Sequence, residues 1–173
     1  VLARQAPRVR PSYVMLHSLH VHSGTGNLID CQTNWTLSSC ELDGATTGVN
    51  GNTGLVVANC YLHSNSSIDL QNVSTSSLIY GSLIEIAGTR GIAVIHLGVV
   101  IYNNVIVGHS SMLSSQAAIF CFVNTTRVIN NTIVGVTNKG IAIELNGANS
   151  EEMVLLNNVV TGWLTGLKVD SGS

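Results

Sequence analysis

The feature that most constrains this chain is a repeat. Three near-copies follow one another in its last third: Val100-Ile-Tyr-Asn-Asn104-Val-Ile-Val-Gly108, Val128-Ile-Asn-Asn131-Thr-Ile-Val-Gly135 and Leu155-Leu-Asn-Asn158-Val-Val-Thr-Gly162. Carrying the register backwards from the second Asn of each pair places Ser18, Cys40, Cys60, Ser82, Asn104, Asn131 and Asn158 at one anchor position, 22, 20, 22, 22, 27 and 27 residues apart. Positions not used to find the register test it. Three residues before the anchor stand Met15, Leu37, Val57, Ile79, Ile101, Val128 and Leu155. Two residues after it stand His20, Leu42, Leu62, Ile84, Ile106, Ile133 and Val160, so that His20 is the one polar exception among fourteen. Gly follows four residues after the anchor at Gly44, Gly108, Gly135 and Gly162, and a further apolar cluster recurs around Leu28, Val49, Ile68, Ile92, Ile119, Ile141 and Leu167.

A period of 20–27 residues with two or three short β strings and no helical stretch specifies a solenoid of parallel strands, in which each coil buries its inward side chains only by stacking on its neighbours. The fold class is therefore all-β: a single-stranded, right-handed parallel β-helix of about seven coils, the hand following from crossover sterics. At ~4.8 Å per strand the seven coils make a rod ~34 Å long. The anchor Asn suits a bend in the left-handed region, and stacked Asn amides can hydrogen-bond from coil to coil. Cys and Ser replace it in earlier coils, so the ladder is strong in coils five to seven and degenerate before them.

Composition agrees. Only 9% of the 173 residues are charged and 45% are hydrophobic, against roughly 25% charged in an ordinary soluble domain. The longest apolar run, from Ile92 to Tyr102, holds His96 and Gly98 and falls short of the ~20 residues a bilayer requires, so no membrane span is expected. A net charge of −2 gives no electrostatic case for nucleic acid. Residues 1–12, with Arg4, Arg8, Arg10, Pro7 and Pro11, read as a leader or linker, and residues 13–173 as the β-helix domain. The first residue is Val, which points to a processed chain or a piece of a longer one.

The pattern V-x-N-N-x-I-x-G followed by G-I-x-I resembles the parallel β-helix repeat of the pectate-lyase-like superfamily over residues 13–170. More loosely, the low charge and mixed coil lengths are similar to the β-helix stretches of fibrocystin-type surface proteins. The superfamily resemblance implies the fold. It leaves function open among polysaccharide lyases, glycoside hydrolases, epimerases, adhesins and non-catalytic surface segments.

Enzymes of this shape converge carboxylates and a base on one lateral face. The acids are Asp30, Glu41, Asp43, Asp69, Glu85, Glu144, Glu151, Glu152 and Asp170. A glycosidase pair must stand about 5–9.5 Å apart. Asp43 and Glu85 occupy equivalent positions, but His63 holds the coil between them, which sets them ~10 Å apart. They read as solvent-facing residues of an outer strand. The Asn-Thr-Asp, Asp-Asp, Gly-His-Gly and Asp-Pro-His-Asp motifs of related hydrolases and epimerases are absent, and Arg90, Arg127, Lys139 and Lys168 align with no acidic cluster. No catalytic residue is assigned.

His20 and His22 share a strand face near His17, and a His-x-His pair ligates zinc or copper when a third ligand converges. His20 occupies a core-type position in the end coil, where an exposed end tolerates a polar residue, so the pair reads as strand surface, and no metal ligand or cofactor is assigned. Cys40 and Cys60 stack as consecutive anchors, where a bridge is strained; Cys31 and Cys40 could also pair; Cys121 reads as a buried thiol. No Cys-x-x-Cys spacing supports a zinc ribbon. Gly24-Thr-Gly26 lies in a turn and makes no phosphate loop. Five Asn-x-Ser/Thr sequons, at Asn34, Asn65, Asn72, Asn124 and Asn130, are candidate glycan acceptors if the chain is secreted by a eukaryote.

Open β-helix ends are normally covered, and little sequence here could cover them. That favours self-association or continuation in a longer solenoid. The expected function is a non-catalytic structural or adhesive module, extracellular or at the cell surface. The alternative is a divergent carbohydrate-active enzyme, a polysaccharide lyase or glycoside hydrolase, acting on an acidic polysaccharide.

Overall fold

The computed structural model describes residues 13–122, 125–136, 138–146 and 153–170. Among them the chain is all-β, with no helix and none long and apolar enough to cross a membrane. Twenty-one short strands wind through seven coils, three strands to a coil. The first sheet stacks β1 (Val14–His17), β4 (Trp35–Ser38), β7 (Val56–Ala58), β10 (Leu78–Tyr80), β13 (Val100–Tyr102), β16 (Arg127–Ile129) and β19 (Val154–Leu156). The second stacks β2 (His20–His22), β5 (Glu41–Asp43), β8 (Tyr61–His63), β11 (Leu83–Glu85), β14 (Val105–Val107), β17 (Thr132–Val134) and β20 (Val159–Thr161). The third stacks β3 (Asn27–Asp30), β6 (Thr47–Asn50), β9 (Ile68–Val73), β12 (Arg90–Val94), β15 (Ala117–Cys121), β18 (Ile141–Asn146) and β21 (Thr165–Asp170). All pairings are parallel, so the sequence period is the coil.

Each sheet sends one column of apolar side chains inward. In the first sheet the column is Leu16, Leu37, Val57, Ile79, Ile101, Val128 and Leu155. In the second it is Val21, Leu42, Leu62, Ile84, Ile106, Ile133 and Val160. The third column is Ile29, Val49, Leu70, Ile92, Ile119, Ile143 and Leu167. From coil two to coil six these side chains are buried; in coil seven Val160 and Leu167 are 37% and 48% exposed.

Coil one departs from the expected register by one residue. Leu16 pairs with Leu37 and Val21 with Leu42, which sets Leu19, not Ser18, level with Cys40. Alternation has a period of two, so this single step turns every side chain of the strand over. Met15, expected inward, is 71% exposed; Val21 takes the core position, and His20 and His22 face out. The apparent exception at His20 disappears, and both columns become apolar throughout. In the third sheet the inward residues are likewise Ile29, Leu70 and Ile143, next to the expected Leu28 and two residues beyond the expected Ile68 and Ile141.

The bend also lies one residue from where it was expected. Ser18, Ser39, Asn59, Gly81, Asn103, Asn130 and Asn157, the column just before the anchor, all have φ between 52° and 62°. Asn, Ser and Gly tolerate this left-handed geometry at least cost. The first Asn of each pair therefore makes the turn and frees the second to point inward.

That second Asn builds the ladder. Asn104 Nδ2 donates to the Ile79 carbonyl and to Asn131 Oδ1, both at 3.0 Å, while its own Oδ1 accepts from the Ser82 amide. Asn131 repeats the pattern, donating to the Ile101 and Ile129 carbonyls and to Asn158 Oδ1, and Asn158 donates to the Val128 carbonyl at 2.8 Å. Cys60 and Cys40 aim their thiols at the same carbonyls, Leu37 and Leu16, at 3.6 Å each. Ser82 accepts from the Cys60 amide and donates to the Tyr80 carbonyl. A buried donor or acceptor left without a partner costs about 1–3 kcal/mol, which is why a polar column runs through an apolar core.

The recurrent Gly has a packing role. A Cβ on Gly108 would stand 2.6 Å from the Trp163 ring, and one on Gly135 would run into the Gly162 carbonyl. The glycines let Trp163 lie across coils five to seven, where its Nε1 donates to the Ile133 carbonyl at 3.2 Å.

Candidate functional site

Because the middle residue of each three-residue strand in the second sheet points inward, the two flanking residues face solvent. In the first four coils these are His20 and His22, Glu41 and Asp43, Tyr61 and His63, then Leu83 and Glu85; in the last three they are Val105 and Val107, Thr132 and Val134, Val159 and Thr161. The ionisable groups of this face are thus collected at one end.

Within the cluster the side chains are engaged with one another. Asp43 Oδ1 lies 2.9 Å from His20 Nε2 and 3.1 Å from His22 Nδ1. His63 Nε2 meets Glu41 Oε1 at 3.1 Å, and its ring stacks on Tyr61, whose hydroxyl donates to Glu85 Oε2 at 2.7 Å. The Asp43 hydrogen bond raises His20 above the ordinary imidazole range. Burial pushes the Asp43 carboxyl up, but the bonds from His20 and His22 outweigh it and hold it below the usual range. The Glu85 hydrogen bond drives the Tyr61 hydroxyl up to about 12. Beneath the cluster lies Gly44, at φ 80°; a Cβ there would stand 2.6 Å from the His22 ring. Three groups with metal-ligating atoms within 4.8 Å of one another, His20, His22 and Asp43, therefore sit together on β2 and β5.

Asp43, His63 and Glu85 do share one column, as their spacing implied. The third partner for the His pair was missed because the one-residue slip in coil one put His20 in the core column. Once Leu19 is level with Cys40, the pairs His20–Glu41 and His22–Asp43 follow directly.

The remaining acids are dispersed. Asp30 accepts from Asn27 and Asn50, and Asn72 donates to Asn50, forming a short outer ladder on the third sheet that the sequence reading did not anticipate. Asp69 is buried beside Asn65, which donates to it at 2.8 Å; its Oδ2 has no partner among the described residues, and burial pushes the carboxyl up to about 8. The expectation that no basic residue aligns with acids is overturned at Lys168. It lies level with the buried Glu144 and bonds it at 2.9 Å, with Asp170 at 2.7 Å. Arg90 lies over the Phe120 ring, 4.1 Å from its centre. Glu151 and Glu152 fall outside the described residues, as do the leader 1–12 and Asn124.

All four cysteines are free and buried, so neither pairing considered for Cys31, Cys40 and Cys60 is formed. Burial raises Cys31 and Cys121 to about 12 and Cys60 to about 11, and none of these three is an activated nucleophile. Of the sequons, Asn65 is corrected. It is fully buried, accepts from the Ala45 amide and donates to Asp69 and the Leu42 carbonyl, so it cannot carry a glycan in the folded chain. Asn34 and Asn72 are half-buried, and Asn130 is exposed at its bend. Comparison of the chain with known protein families, with characterised proteins and with solved structures found no match.

Proposed function

We propose that this chain is a non-catalytic structural or adhesive β-solenoid module of the extracellular space or cell surface, related to the pectate-lyase-like β-helix proteins and more loosely to fibrocystin-type surface proteins. It associates end to end, with a second copy or with further coils. One observation carries the reading: among the described residues no further strand lies beside β19, β20 and β21, and there the inward-type residues Val160 and Leu167 are 37% and 48% exposed beside half-buried Leu155. Three aligned strand edges with an apolar centre form a template for another coil. Among the described sequons, Asn130, exposed at its bend, is the best placed for a glycan. Sedimentation velocity over a wide concentration range tests the reading. Growing assemblies are expected, abolished by V160D/L167D with circular dichroism unchanged. A wild-type chain that stays monomeric throughout would contradict it.

The alternative, a carbohydrate-active enzyme acting on an acidic polysaccharide, is favoured by the outer face that gathers Glu41, Asp43 and Glu85 with His63 and Tyr61. Turnover of a polyuronate that is lost in D43N or E85Q would establish it. Absence of turnover by the wild-type chain would remove it.

A further inference from the structure

We propose that His20, His22 and Asp43 form a binding site for a divalent transition-metal ion of the zinc or copper class, clipping the first coil of the solenoid to the second. The inference stands apart from the end-to-end reading. It rests first on placement: the two imidazoles project from one face of β2, and Asp43 from the next strand, level with His22. Donors around a tetrahedral ion with bonds of about 2.1 Å stand ~3.4 Å apart. Two of the separations here are 2.9 and 3.1 Å, and all three donor atoms lie within 4.8 Å of one another. Small rotations of two solvent-exposed rings complete the triangle.

Two imidazole nitrogens and one carboxylate oxygen suit zinc or copper, whereas calcium and magnesium select oxygen ligands. Asp43 is the most enclosed of the three, its side chain 15% exposed against 57% and 66% for the rings, so the fixed ligand is the anion and the mobile ones are the closing arms. The site is also shaped. Gly44 leaves the space that the His22 ring occupies, and a Cβ would take it. Outside the three donors, Glu41 stands level with His20 and adds negative charge beside the site, its carboxylate paired with His63 at 3.1 Å. The cysteines, all buried, do not compete.

The site has a mechanical consequence. Coil one is the least buried of the N-terminal coils: Leu16 and Val21 are half-buried and Leu19 is 43% exposed. At this end the ladder supplies only the long contact of the Cys40 thiol with the Leu16 carbonyl, 3.6 Å, because Leu19 has no polar side chain; an ion bridging β2 and β5 adds a second cross-link.

Isothermal titration calorimetry of the full chain with zinc chloride, and separately with copper sulfate, in a non-chelating buffer tests the site. One ion per chain is expected, with H20N, H22N and D43N each weakening binding at least about tenfold and H96N/H109N leaving it unchanged. The wild-type melting temperature should rise with metal, and that of H20N/H22N should not. Circular dichroism of the variants separates loss of the site from loss of the fold, and G44A, which removes no donor, should also weaken binding. No binding by the wild-type chain, wild-type affinity in H20N/H22N, or preference for calcium over zinc would each overturn the assignment.

Discussion

Coils two and three and coils five to seven adopt one backbone path with different chemistry at the same points. In the later coils the anchor is Asn104, Asn131 and Asn158, whose amides donate to a carbonyl of the coil before and accept from an amide of it. In the earlier coils it is Cys40 and Cys60, whose thiols reach the corresponding carbonyls only at 3.6 Å. An amide both donates and accepts strongly, while a thiol does both weakly. The outer face changes as well, from His, Glu, Asp and Tyr to Val and Thr. Fold and chemistry are thus separable here. The inward columns need only apolar bulk, the bend needs only a residue that tolerates positive φ, and the anchor and outer face are left free to vary.

The largest expected effect comes from breaking the amide ladder at its centre. Asn131→Ala removes donors to two carbonyls and to Asn158 and strips the Asn104 amide of its acceptor, so urea unfolding should show a loss of about 3 kcal/mol. A loss equal to that at Cys60 would mean that the ladder carries no special strength.

The two regions also treat buried carboxyls differently: Glu144 pairs with Lys168, whereas Asp69, among the described residues, is bonded only by Asn65. With its carboxyl raised to about 8 from the ordinary 3.8, folded Asp69 keeps a proton that the unfolded chain releases. Its contribution is full below the unfolded value and is lost as pH rises from about 4 towards about 8, by up to ~1.4 kcal/mol per pH unit. Urea midpoints at pH 5 and pH 7 should therefore differ more for the wild type than for D69N, in which only the smaller contribution of groups such as His20 remains. Parallel behaviour of the two chains would refute the buried, protonated carboxyl. The smallest effect is expected at Cys60→Ala, about 1 kcal/mol, because the bonds removed are long sulfur contacts.

Much of this molecule was legible in its sequence, for a physical reason. An inward column tolerates no polar residue, so Leu37, Leu42 and their equivalents announce the coil at every turn. What escaped were features decided by one residue. Anchoring coil one on a small polar side chain selected Ser18, whereas burial of Leu16 and Val21 sets the register and leaves Leu19 at the anchor. The same step hid the alignment of His22 with Asp43. In an Asn-Asn pair, sequence alone could not say which member turns the chain and which faces inward; the backbone assigns the first to the bend. In the outer ladder Asp30 is level with Asn50, but Asn50 is level with Gln71, so its bond from Asn72, at φ 54°, does not follow from strand register.

Native-state hydrogen exchange, residue by residue and with a chelator present, tests the central contrast most directly. The amides of Ser82, Asn104 and Asn131, each bonded to the Asn of the next coil, should exchange only through global unfolding, and those of β1 and β2 fastest through local opening. Protection in coil one equal to that at Asn104 and Asn131 would contradict the account.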